Sequence, residues 1–542
     1  MRNKEGSIED KFVLFYKQLK SMNKSNIWIE ALYEFRRARR SILFRLFLVL
    51  AICGLILYQF TSLGSSDSGS VKHVLQFAPD WTSLALSSAI PFKSAYYFNV
   101  IQLLFVVCFV VNDWRMLNMG TRDALYVRSQ GNSEMVTGYA LGLLLVFTLL
   151  NWFLFLTSII FNLVLYPGSF NLFYYLFYWI TLTLPASVYF LGFSCLVVRV
   201  IRNPGISLIV SFLLLGGITF LGAGFLHGVL DPCARYLPNM FSDFTGHVNP
   251  GNYLLQRGSI LLMGGSFAVF SIIPYPRIFN YVRTRKVCLS IACILLVFAA
   301  GGVFIYLGRY GKKEELREVY KGVYEKYERD SKIRVASNDL HVKELADGGI
   351  SVNSRMTVEN RTSGEMPLIM YLNPGLKVTS IKVEGQPVSF RREHQAVLVD
   401  EKLVPGDSLE VLIDYEGNIE NAFCYLDVSS DEYYSPDVNV GGIFRHGNTS
   451  AFCEKGYKLL PPKCLWYPVG LPPYGASGGM DLNFTRYSLR VEHDPALIAI
   501  AQGETIEEGK GVTSFRFTHD MPGISLCIGN YKKRTITIAL GL

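Results

Sequence analysis

The chain has 542 residues, of which 50% are hydrophobic and 14% aromatic, and its formal net charge is +8. Residues 1–307 carry 24 Lys and Arg against 12 Asp and Glu, whereas residues 308–542 carry 28 against 32. A basic excess confined to the more hydrophobic part indicates cytoplasmic loops of a membrane protein. No basic face with interleaved aromatic residues stands out in the acidic part, so we set nucleic-acid binding aside.

Residues 1–40 are polar and basic, and they lack the apolar core and cleavage site of a secretory signal. Trp28, Ile29, Leu32 and Phe35 recur near helical spacing. This pattern predicts an amphipathic helix over Asn26–Arg40 that lies under the bilayer. The arginines at its end place this cytoplasmic N-terminal segment next to the first membrane span.

Seven apolar runs follow within residues 41–307, which we interpret as a transmembrane domain of about seven helices. The runs are Ser41–Phe60, Ala95–Asn112, Val136–Tyr166, Leu172–Val200, Gly205–Leu226, Ser259–Ile273 and Cys288–Leu307. The fourth run contains Pro185 and is expected to kink there. With a cytoplasmic N-terminus, seven spans put every arginine-rich loop on the cytoplasmic side, and residues after Leu307 outside the cytoplasm.

The loop between the second and third spans, Asn112–Gly142, is a charged island between apolar runs. Its middle part, Thr121–Arg128, is expected to form a short helix along the membrane surface or an ordinary cytoplasmic loop. Gly138 and Gly142 have the G-x-x-x-G spacing, which permits close helix packing either within one subunit or at a dimer face.

Beyond the last span, the charged segment Lys312–Arg334 predicts a stalk helix within residues 308–340. From Ile350 the apolar residues alternate with polar ones, and the turn residues at Glu384-Gly385 and Pro405-Gly406-Asp407 separate short runs. Residues 341–542 are therefore predicted to form an all-β, sandwich-like extracytoplasmic domain. The predicted fold class is a membrane α-helical bundle followed by a stalk helix and this β domain.

The sequence contains no phosphate-binding G-x-x-x-x-G-K-[ST] loop and no H-E-x-x-H zinc helix. We therefore predict no catalytic, cofactor-binding or metal-binding residues, and no enzymatic activity for this chain. Five cysteines fall outside the spans, where disulfides are permitted. Cys453 and Cys464 are the pair that we consider plausible, although sequence alone does not fix the connectivity.

The membrane part resembles the permease of a type-2 ATP-binding-cassette exporter. The features are the basic amphipathic helix and the loop Thr121-Arg-Asp-Ala-Leu-Tyr-Val-Arg128 before the third span. The resemblance implies a coupling helix that presses into a separate cytoplasmic ATPase, which would bind the ATP. On this helix the coupling residues would be Arg122, Asp123, Leu125, Tyr126 and Arg128. Such permeases act as homodimers or heterodimers in the lipid bilayer.

The β part resembles the N-terminal saddle domain of zinc aminopeptidase-N-like enzymes. The resemblance rests on several short patterns, listed here: Leu376-x-Val378-x-x-Ile381-x-Val383-x-Gly385, Leu403-x-Pro405-Gly406-Asp407, Ile413-x-Tyr415-x-Gly417, Trp466-Tyr467-Pro468 and Ile528-Gly529-x-Tyr531. Bacterial proteins, notably of the Bacteroidetes, fuse such permeases to aminopeptidase-like domains. In those fusions a zinc-bearing catalytic domain follows the saddle, so either this chain is truncated or it lacks the peptidase part by design.

Two functions follow from these resemblances. The first, which we favour from the sequence, is a permease subunit of the inner membrane, with a cytoplasmic N-terminus, a periplasmic C-terminal domain and a separate ATPase. The alternative is a membrane-anchored zinc-aminopeptidase-family protein or a peptide-binding ectodomain. The number of predicted spans favours the permease, because an anchor needs only one.

Overall fold

The structure is a computed structural model that describes residues 24–64, 86–119, 132–165, 170–222, 224–234, 241–242, 245–247, 249–275, 282–327, 333–433, 449–471 and 484–532. The chain divides into two units. We call residues 1–243 with 249–308 the helical unit, and residues 244–248 with 309–542 the β unit.

Long helices account for most of the described part of the helical unit. They are α1 (Lys24–Arg40), α2 (Ile42–Gly64), α3 (Leu86–Asn118), α4 (Asn132–Leu165), α5 (Leu172–Tyr178), α6 (Leu184–Ile201), α7 (Pro204–Gly216), α8 (Pro250–Phe270) and α9 (Val282–Tyr327), whose last residues belong to the β unit. Within the described ranges, six helical stretches are long and apolar enough to cross a membrane. Each of them overlaps one of the seven predicted apolar runs.

The remaining run, Ser259–Ile273, lies largely in α8, which is not among those six stretches. This helix begins earlier than predicted, and its first half carries the buried polar residues Asn252, Gln256 and Arg257. The predicted apolar run covers only the second half of this helix, because polar side chains of the first half donate hydrogen bonds to backbone carbonyl oxygens. The run is therefore short in the sequence.

Two helices of the unit depart from regular α geometry. A π-helical turn, Trp179–Thr183, joins α5 to α6, and Pro185 lies in the first turn of α6. The kink predicted at Pro185 thus coincides with a break in the hydrogen-bond ladder just before it. A second π-helical turn, Gly217–Leu221, follows α7, and Leu226 and His227 then take left-handed backbone conformations.

Glycines set the closest helix contacts. A Cβ atom on Gly264 of α8 would lie 2.5 Å from the backbone of Tyr189 on α6. On α4, a Cβ atom on Gly142 would lie 2.7 Å from the Ala31 carbonyl oxygen, and one on Gly138 would lie 2.6 Å from Glu30 Cβ. Small residues let helix backbones approach this closely. In this structure Gly138 and Gly142 face α1 of the same chain.

The β unit contains most of the strands. In chain order they are β1 (Phe241–Ser242) and β2 (Gly246–His247), followed by β3 (Arg334–Glu344), β4 (Ile350–Glu359), β5 (Met366–Tyr371), β6 (Leu376–Val383), β7 (Gln386–Pro387), β8 (Phe390–Glu393), β9 (Ala396–Leu403), β10 (Ser408–Gly417), β11 (Phe452–Glu454), β12 (Tyr457–Leu460), β13 (Arg486–Glu492), β14 (Ile498–Ala501), β15 (Glu504–Gly509), β16 (Val512–Arg516) and β17 (Leu526–Gly529). A short helix, α10, spans Ser430–Tyr433.

These strands form an eight-stranded sheet in the order β15-β16-β13-β3-β4-β10-β6-β7, a four-stranded sheet β11-β12-β17-β14 and a three-stranded sheet β5-β9-β8. In the largest sheet β13 and β3 are parallel. The neighbouring pairs β3–β4, β4–β10 and β10–β6 are antiparallel. The alternating apolar side chains of all three sheets share one core, which contains Met356, Met370 and Leu526. Burial of this apolar surface drives folding of the unit.

The predicted turns and the stalk can be compared directly with the structure. Glu384 and Gly385, with φ of 48° and 79°, make the tight turn between β6 and β7. The left-handed conformation at both positions is the one that suits a two-residue hairpin. The predicted stalk helix ends at Tyr327, and part of the predicted stalk segment is strand β3. In the sequence, the residues of β3 show neither a clear helical nor a clear strand periodicity, so this strand was not predicted.

Candidate functional site

The helical unit contains a cavity beside the ends of α3 and α4. Its space, counted together with its opening to solvent, is about 380 Å³. Among the residues that line it are Glu30 from α1, Asp113 and Trp114 from α3, Tyr139 from α4 and Arg199 from α6. Charged groups of both signs therefore face one small space.

Asp113 is the centre of the polar contacts. Its carboxylate is 2.5 Å from the Arg37 guanidinium of α1 and accepts a hydrogen bond of 3.1 Å from the Tyr139 hydroxyl of α4. Arg37 also lies 2.7 Å from the Glu34 carboxylate one turn earlier in α1. Asp113 is 2% exposed, so this ion pair is largely removed from water. Charge-assisted bonds of this kind join three helices.

Electrostatics keep Arg37 charged at this position. Burial lowers the pKa of the Arg37 guanidinium, but the hydrogen bond and charge of Asp113, with the charge of Glu34, outweigh burial and raise the pKa above its usual value. The cation is therefore permanent. Neutralising Asp113 would leave Glu34 as the remaining carboxylate partner of the Arg37 cation.

Arg199 closes the other side of the cavity. Its guanidinium donates to the hydroxyl and the carbonyl oxygen of Ser271, at 2.5 and 3.2 Å. It also lies over the rings of Tyr139 and Tyr275, at 5.9 and 5.2 Å from their centroids. Cation–π contacts and hydrogen bonds together satisfy this buried cation.

Helix α1 exposes its larger apolar residues and buries acidic ones. Trp28 and Ile29 are 54% and 49% exposed, whereas Glu30 and Glu34 are 2% and 0% exposed. The amphipathic helix expected from the sequence is therefore present, but the face that packs on α4 is the one with Glu30, Ala31 and Glu34. Apolar periodicity predicted the helix, but it did not predict which face of the helix packs on α4.

Described residues on either side of the segment 120–131 make hydrogen bonds to other helices. At its start, the Trp114 indole donates to the Arg202 carbonyl oxygen at 3.1 Å. At its end, the Asn26 amide of α1 donates to the Glu134 carboxylate at 3.3 Å. The predicted coupling residues Arg122, Asp123, Leu125, Tyr126 and Arg128 lie between these ends, outside the described residues.

A second polar cluster holds the irregular backbone after α7. The Gln256 side-chain amide donates to the carbonyl oxygens of Gly228, Val229 and Asp231, at 3.0 to 3.1 Å. The Arg257 guanidinium donates to the Asp231 and Pro232 carbonyl oxygens, at 2.5 and 2.8 Å. Non-helical backbone between apolar helices lacks its own helical partners, and these two side chains supply donors for it.

In the β unit, aromatic residues from distant parts of the chain meet in the core. The Tyr415 hydroxyl donates to the Trp466 carbonyl oxygen at 3.2 Å, and the Trp466 indole donates to the Ile524 carbonyl oxygen at 3.1 Å. The Ile524 amide in turn donates to the Tyr467 hydroxyl at 2.9 Å. All these residues are at most 1% exposed. Three of them belong to the patterns on which the aminopeptidase resemblance rests.

All ten cysteines are free thiols in this structure, and the disulfide between Cys453 and Cys464 stays a prediction. Cys464 closes a short turn and donates to the Pro461 carbonyl oxygen at 2.9 Å. Cys453 lies on β11, and its thiol is 3.5 Å from the Gly348 carbonyl oxygen. The two side chains are thus engaged with different backbone groups.

Sequence analysis missed Arg37, Asp113, Tyr139 and Arg199 as a group. A signal was present, because Asp113 follows the predicted end of the second span and Arg199 precedes the end of the fourth. Both are charged residues at the margin of apolar runs, where a partner is expected. Which residues pair could be read only from the packing of the helices.

No family model and no curated relative matches the chain. Similar solved structures include an M1 zinc metallopeptidase from Deinococcus radiodurans, at 19% identity over 37% of this chain and 42% of that one, with a TM-score of 0.26. Legionella pneumophila aminopeptidase A is 12% identical over 36% of this chain and 21% of that one, with a TM-score of 0.26. Native yeast LTA4 hydrolase is 12% identical over 36% and 29%, with a TM-score of 0.25. The chain thus spans less than half the length of these structures.

The prediction that this chain is not an enzyme is contradicted by these comparisons, because the similar structures are zinc metallopeptidases and aminopeptidases. That prediction was based on the absence of two catalytic motifs, and this absence concerns only the residues of this sequence. We also tested whether a zinc ion fits the described residues. Among them, no group of three His, Cys, Asp or Glu side chains is placed to hold a metal ion. The described residues therefore do not fit zinc.

Proposed function

We propose that this chain is a membrane-anchored protein of the zinc-aminopeptidase family type, which holds its β unit outside the cytoplasm as a peptide-binding domain. This was the alternative reading of the sequence. The proposal concerns binding and location, and it assigns no bond-breaking step to the described residues.

One observation carries the proposal. The patterns that resemble the aminopeptidase saddle domain are separated by tens of residues in the chain, yet Tyr415, Trp466 and Tyr467 belong to one hydrogen-bonded core. A chance set of short patterns would have no reason to meet in the interior. Their meeting supports the interpretation that they are structural determinants of one domain type.

The membrane location is supported by composition. Six helical stretches of the described chain are apolar enough to span a bilayer. With a cytoplasmic N-terminus and the seven predicted spans, the arginine-rich loops fall on the cytoplasmic side, and they hold Arg115, Arg122 and Arg128, Arg199 and Arg202, and Arg277, Arg283 and Arg285. The extracytoplasmic position of the β unit needs an odd number of crossings, which is the seven-span count predicted from the sequence, with the run Ser259–Ile273, largely in α8, counted as a span.

Binding and location can be tested separately with the full chain. In detergent, short fluorescein-labelled unstructured peptides should show a saturable rise in anisotropy that unlabelled peptide reverses. Trp466→Ala, which removes a buried core side chain, should abolish that rise together with the folded β unit, whereas Lys321→Met should preserve both. In intact spheroplasts, added protease should cleave the β unit, and in inverted vesicles the unit should be protected. The absence of peptide binding, or the opposite protection pattern, would overturn the proposal.

A second candidate is the exporter permease, and one observation favours it. Asp113 on α3 and Glu134 on α4 flank the segment 120–131, and each accepts a hydrogen bond from a side chain of α1. This arrangement would transmit a push on that segment to three helices at once. A membrane anchor has no need of such bracing.

The permease candidate predicts that a cytoplasmic ATPase co-purifies with the chain and that ATP hydrolysis by the complex depends on the segment. Charge reversal at Asp123 or Arg128 should abolish coupled hydrolysis. Asp113→Asn should reduce it while the ATPase remains bound, because bracing and binding are different functions. Hydrolysis that is indifferent to all three changes would count against this candidate.

A further inference from the structure

The β unit contains two buried cysteines on separate segments of its core. Cys424 follows the turn Asn421–Phe423, and Cys464 ends the turn Pro462–Cys464. Both are 0% exposed, and both belong to the main hydrophobic core. The Cys424 thiol lies 3.9 Å from the Glu420 carbonyl oxygen, on a segment that is tied by hydrogen bonds to that of Cys464.

A third residue fixes the two segments side by side. The Asn373 side-chain amide donates to the Cys464 carbonyl oxygen at 2.8 Å and to the Glu420 carbonyl oxygen at 3.4 Å. The Asn373 side-chain oxygen also accepts from the Glu420 amide at 2.9 Å. These bonds hold the segment of Cys424 against that of Cys464 whatever the state of the thiols.

Cys424 is also held from its other side. Its carbonyl oxygen accepts a hydrogen bond of 2.8 Å from the Arg317 guanidinium. The backbones of both cysteines are therefore held by buried hydrogen bonds, so the two residues cannot move apart without breaking them. Such constraint raises the effective concentration of one thiol at the other.

We infer that Cys424 and Cys464 form a disulfide when the protein folds in an oxidising compartment. A thiolate of one cysteine attacks a disulfide of an electron acceptor, which is a thiol oxidase or glutathione disulfide. The second cysteine then displaces the acceptor from the mixed disulfide. Two protons and two electrons leave the pair, and the acceptor is reduced to two thiols.

Burial raises the pKa of the Cys464 thiol well above its usual value. The thiolate is therefore scarce in the folded core, so the bond forms during folding, before the core closes. Cys453 is the competing partner that sequence spacing suggested. Its thiol faces Gly348, and a bond to Cys464 would require it to leave that position.

The inference depends on the proposed function only for the compartment. In the first arm of the test, the purified full chain is partly unfolded and refolded in a glutathione redox buffer, and peptides are mapped by mass spectrometry without reduction. A Cys424–Cys464 linked peptide is expected in most molecules. Cys453→Ser should leave the link intact, and Cys424→Ser should remove it. A Cys453–Cys464 link in the unsubstituted chain, or no link at all, overturns the inference.

In the second arm, cells that produce the full chain are quenched with acid and alkylated before mapping. The link is expected in normal cells and should be lost in cells without the extracytoplasmic thiol oxidase. If the link forms in the first arm but not in cells, the disulfide in the cell and the extracytoplasmic placement of the β unit are both overturned. Peptide binding is measured in a separate experiment and does not depend on either result.

Discussion

In the helical unit, neighbouring helices meet through glycines and paired polar groups, whereas the sheets of the β unit meet through a large apolar core. Gly142 lies against Ala31, and Arg37 pairs with Asp113 across helices. In the β unit, Met356, Met370 and Leu526 come from three different sheets and pack together. Lipid is as apolar as leucine, so burial of apolar surface drives sheets together in water but gives helices little reason to associate in a membrane.

The difference between the two units indicates which substitutions should destabilise each of them. Helix packing depends on the steric fit at a few small residues and on partners for a few polar ones. The β core depends on filled volume and on the few buried polar atoms it encloses. The following predictions test this difference, from the largest expected effect to the smallest.

Arg317 is a fully buried charged residue in the β unit, whose core is mainly apolar. Arg317→Met should therefore have the largest effect on stability. Its guanidinium donates to four backbone carbonyl oxygens, of Ala422, Cys424, Tyr425 and Val428, at 2.8 to 3.1 Å. Methionine would leave these buried acceptors without a donor, so we expect a loss of about 3–5 kcal/mol in the unfolding free energy. Proteolytic susceptibility of the β unit in urea would measure it.

Lys321→Met is the matched control for this change. Lys321 pairs with Glu318 at the surface of the same helix, and such pairs contribute about 0–1 kcal/mol. Equal losses from both substitutions would contradict the role given to Arg317.

Gly142→Ala in the helical unit should destabilise the protein by about 1–3 kcal/mol, because the new methyl group would press on the backbone of α1. Gly216→Ala is the control. In the described part of the chain, no atom lies within 4 Å of a Cβ at Gly216, so the higher helix propensity of alanine should leave stability equal or raised. Thermal aggregation in detergent would rank the two variants, and a Gly142→Ala variant as stable as the control would argue against close packing of α1 on α4.

Trp466→Phe should cost about 1–2 kcal/mol, because phenylalanine cannot donate to the Ile524 carbonyl oxygen, which is then buried without its donor. Urea denaturation would give the difference. Phe484→Leu serves as the comparison, since Phe484 is 46% exposed and its replacement should leave the midpoint unchanged. If the tryptophan variant were equally neutral, the aromatic core would not be a determinant of the domain.

The smallest effect concerns Glu393, whose pKa is lowered from 4.5 by hydrogen bonds from Tyr327 and Lys326. A carboxylate with a lowered folded-state pKa stabilises the protein above its usual pKa and loses that contribution as pH falls through the folded value. Glu393→Gln should therefore differ from the unsubstituted chain near neutral pH and converge with it in acid. Glu401→Gln, on an exposed position of β9, should show no such convergence; a pH-independent difference for Glu393→Gln would refute the assignment.

The sequence predicted regular elements better than their partners. Strand β6 spans Leu376–Val383, the residues of the apolar pattern noted in the sequence, although the alternation is interrupted between Val378 and Ile381, where the pairing with β10 shifts register. Strand β3 was missed since it buries Asn338, which accepts a hydrogen bond from Ser354 at 2.8 Å and breaks the expected pattern. A buried amide is compatible with a strand only when the neighbouring strand supplies its partner, and a single segment does not reveal that neighbour.

The candidate site shows the same limit more strongly. Helix α1 was predicted from Trp28 and Ile29, yet its contact with α4 uses Glu30 and Glu34, which the pattern assigned to solvent. The pairing of Arg37 with Asp113 joins residues far apart in the chain, and no local rule selects it. Gly138 and Gly142 were recognised as a packing motif, but the spacing alone left open which helix they meet.

The backbone cradle at Gly228–Pro232 has a consequence for biogenesis. Ribosomes release this stretch before Gln256 and Arg257, so at about 5–20 residues per second its carbonyl groups wait a few seconds for their donors. During that interval the segment after α7 lacks these donors, so we expect water or the insertion machinery to bond its carbonyl groups until α8 arrives.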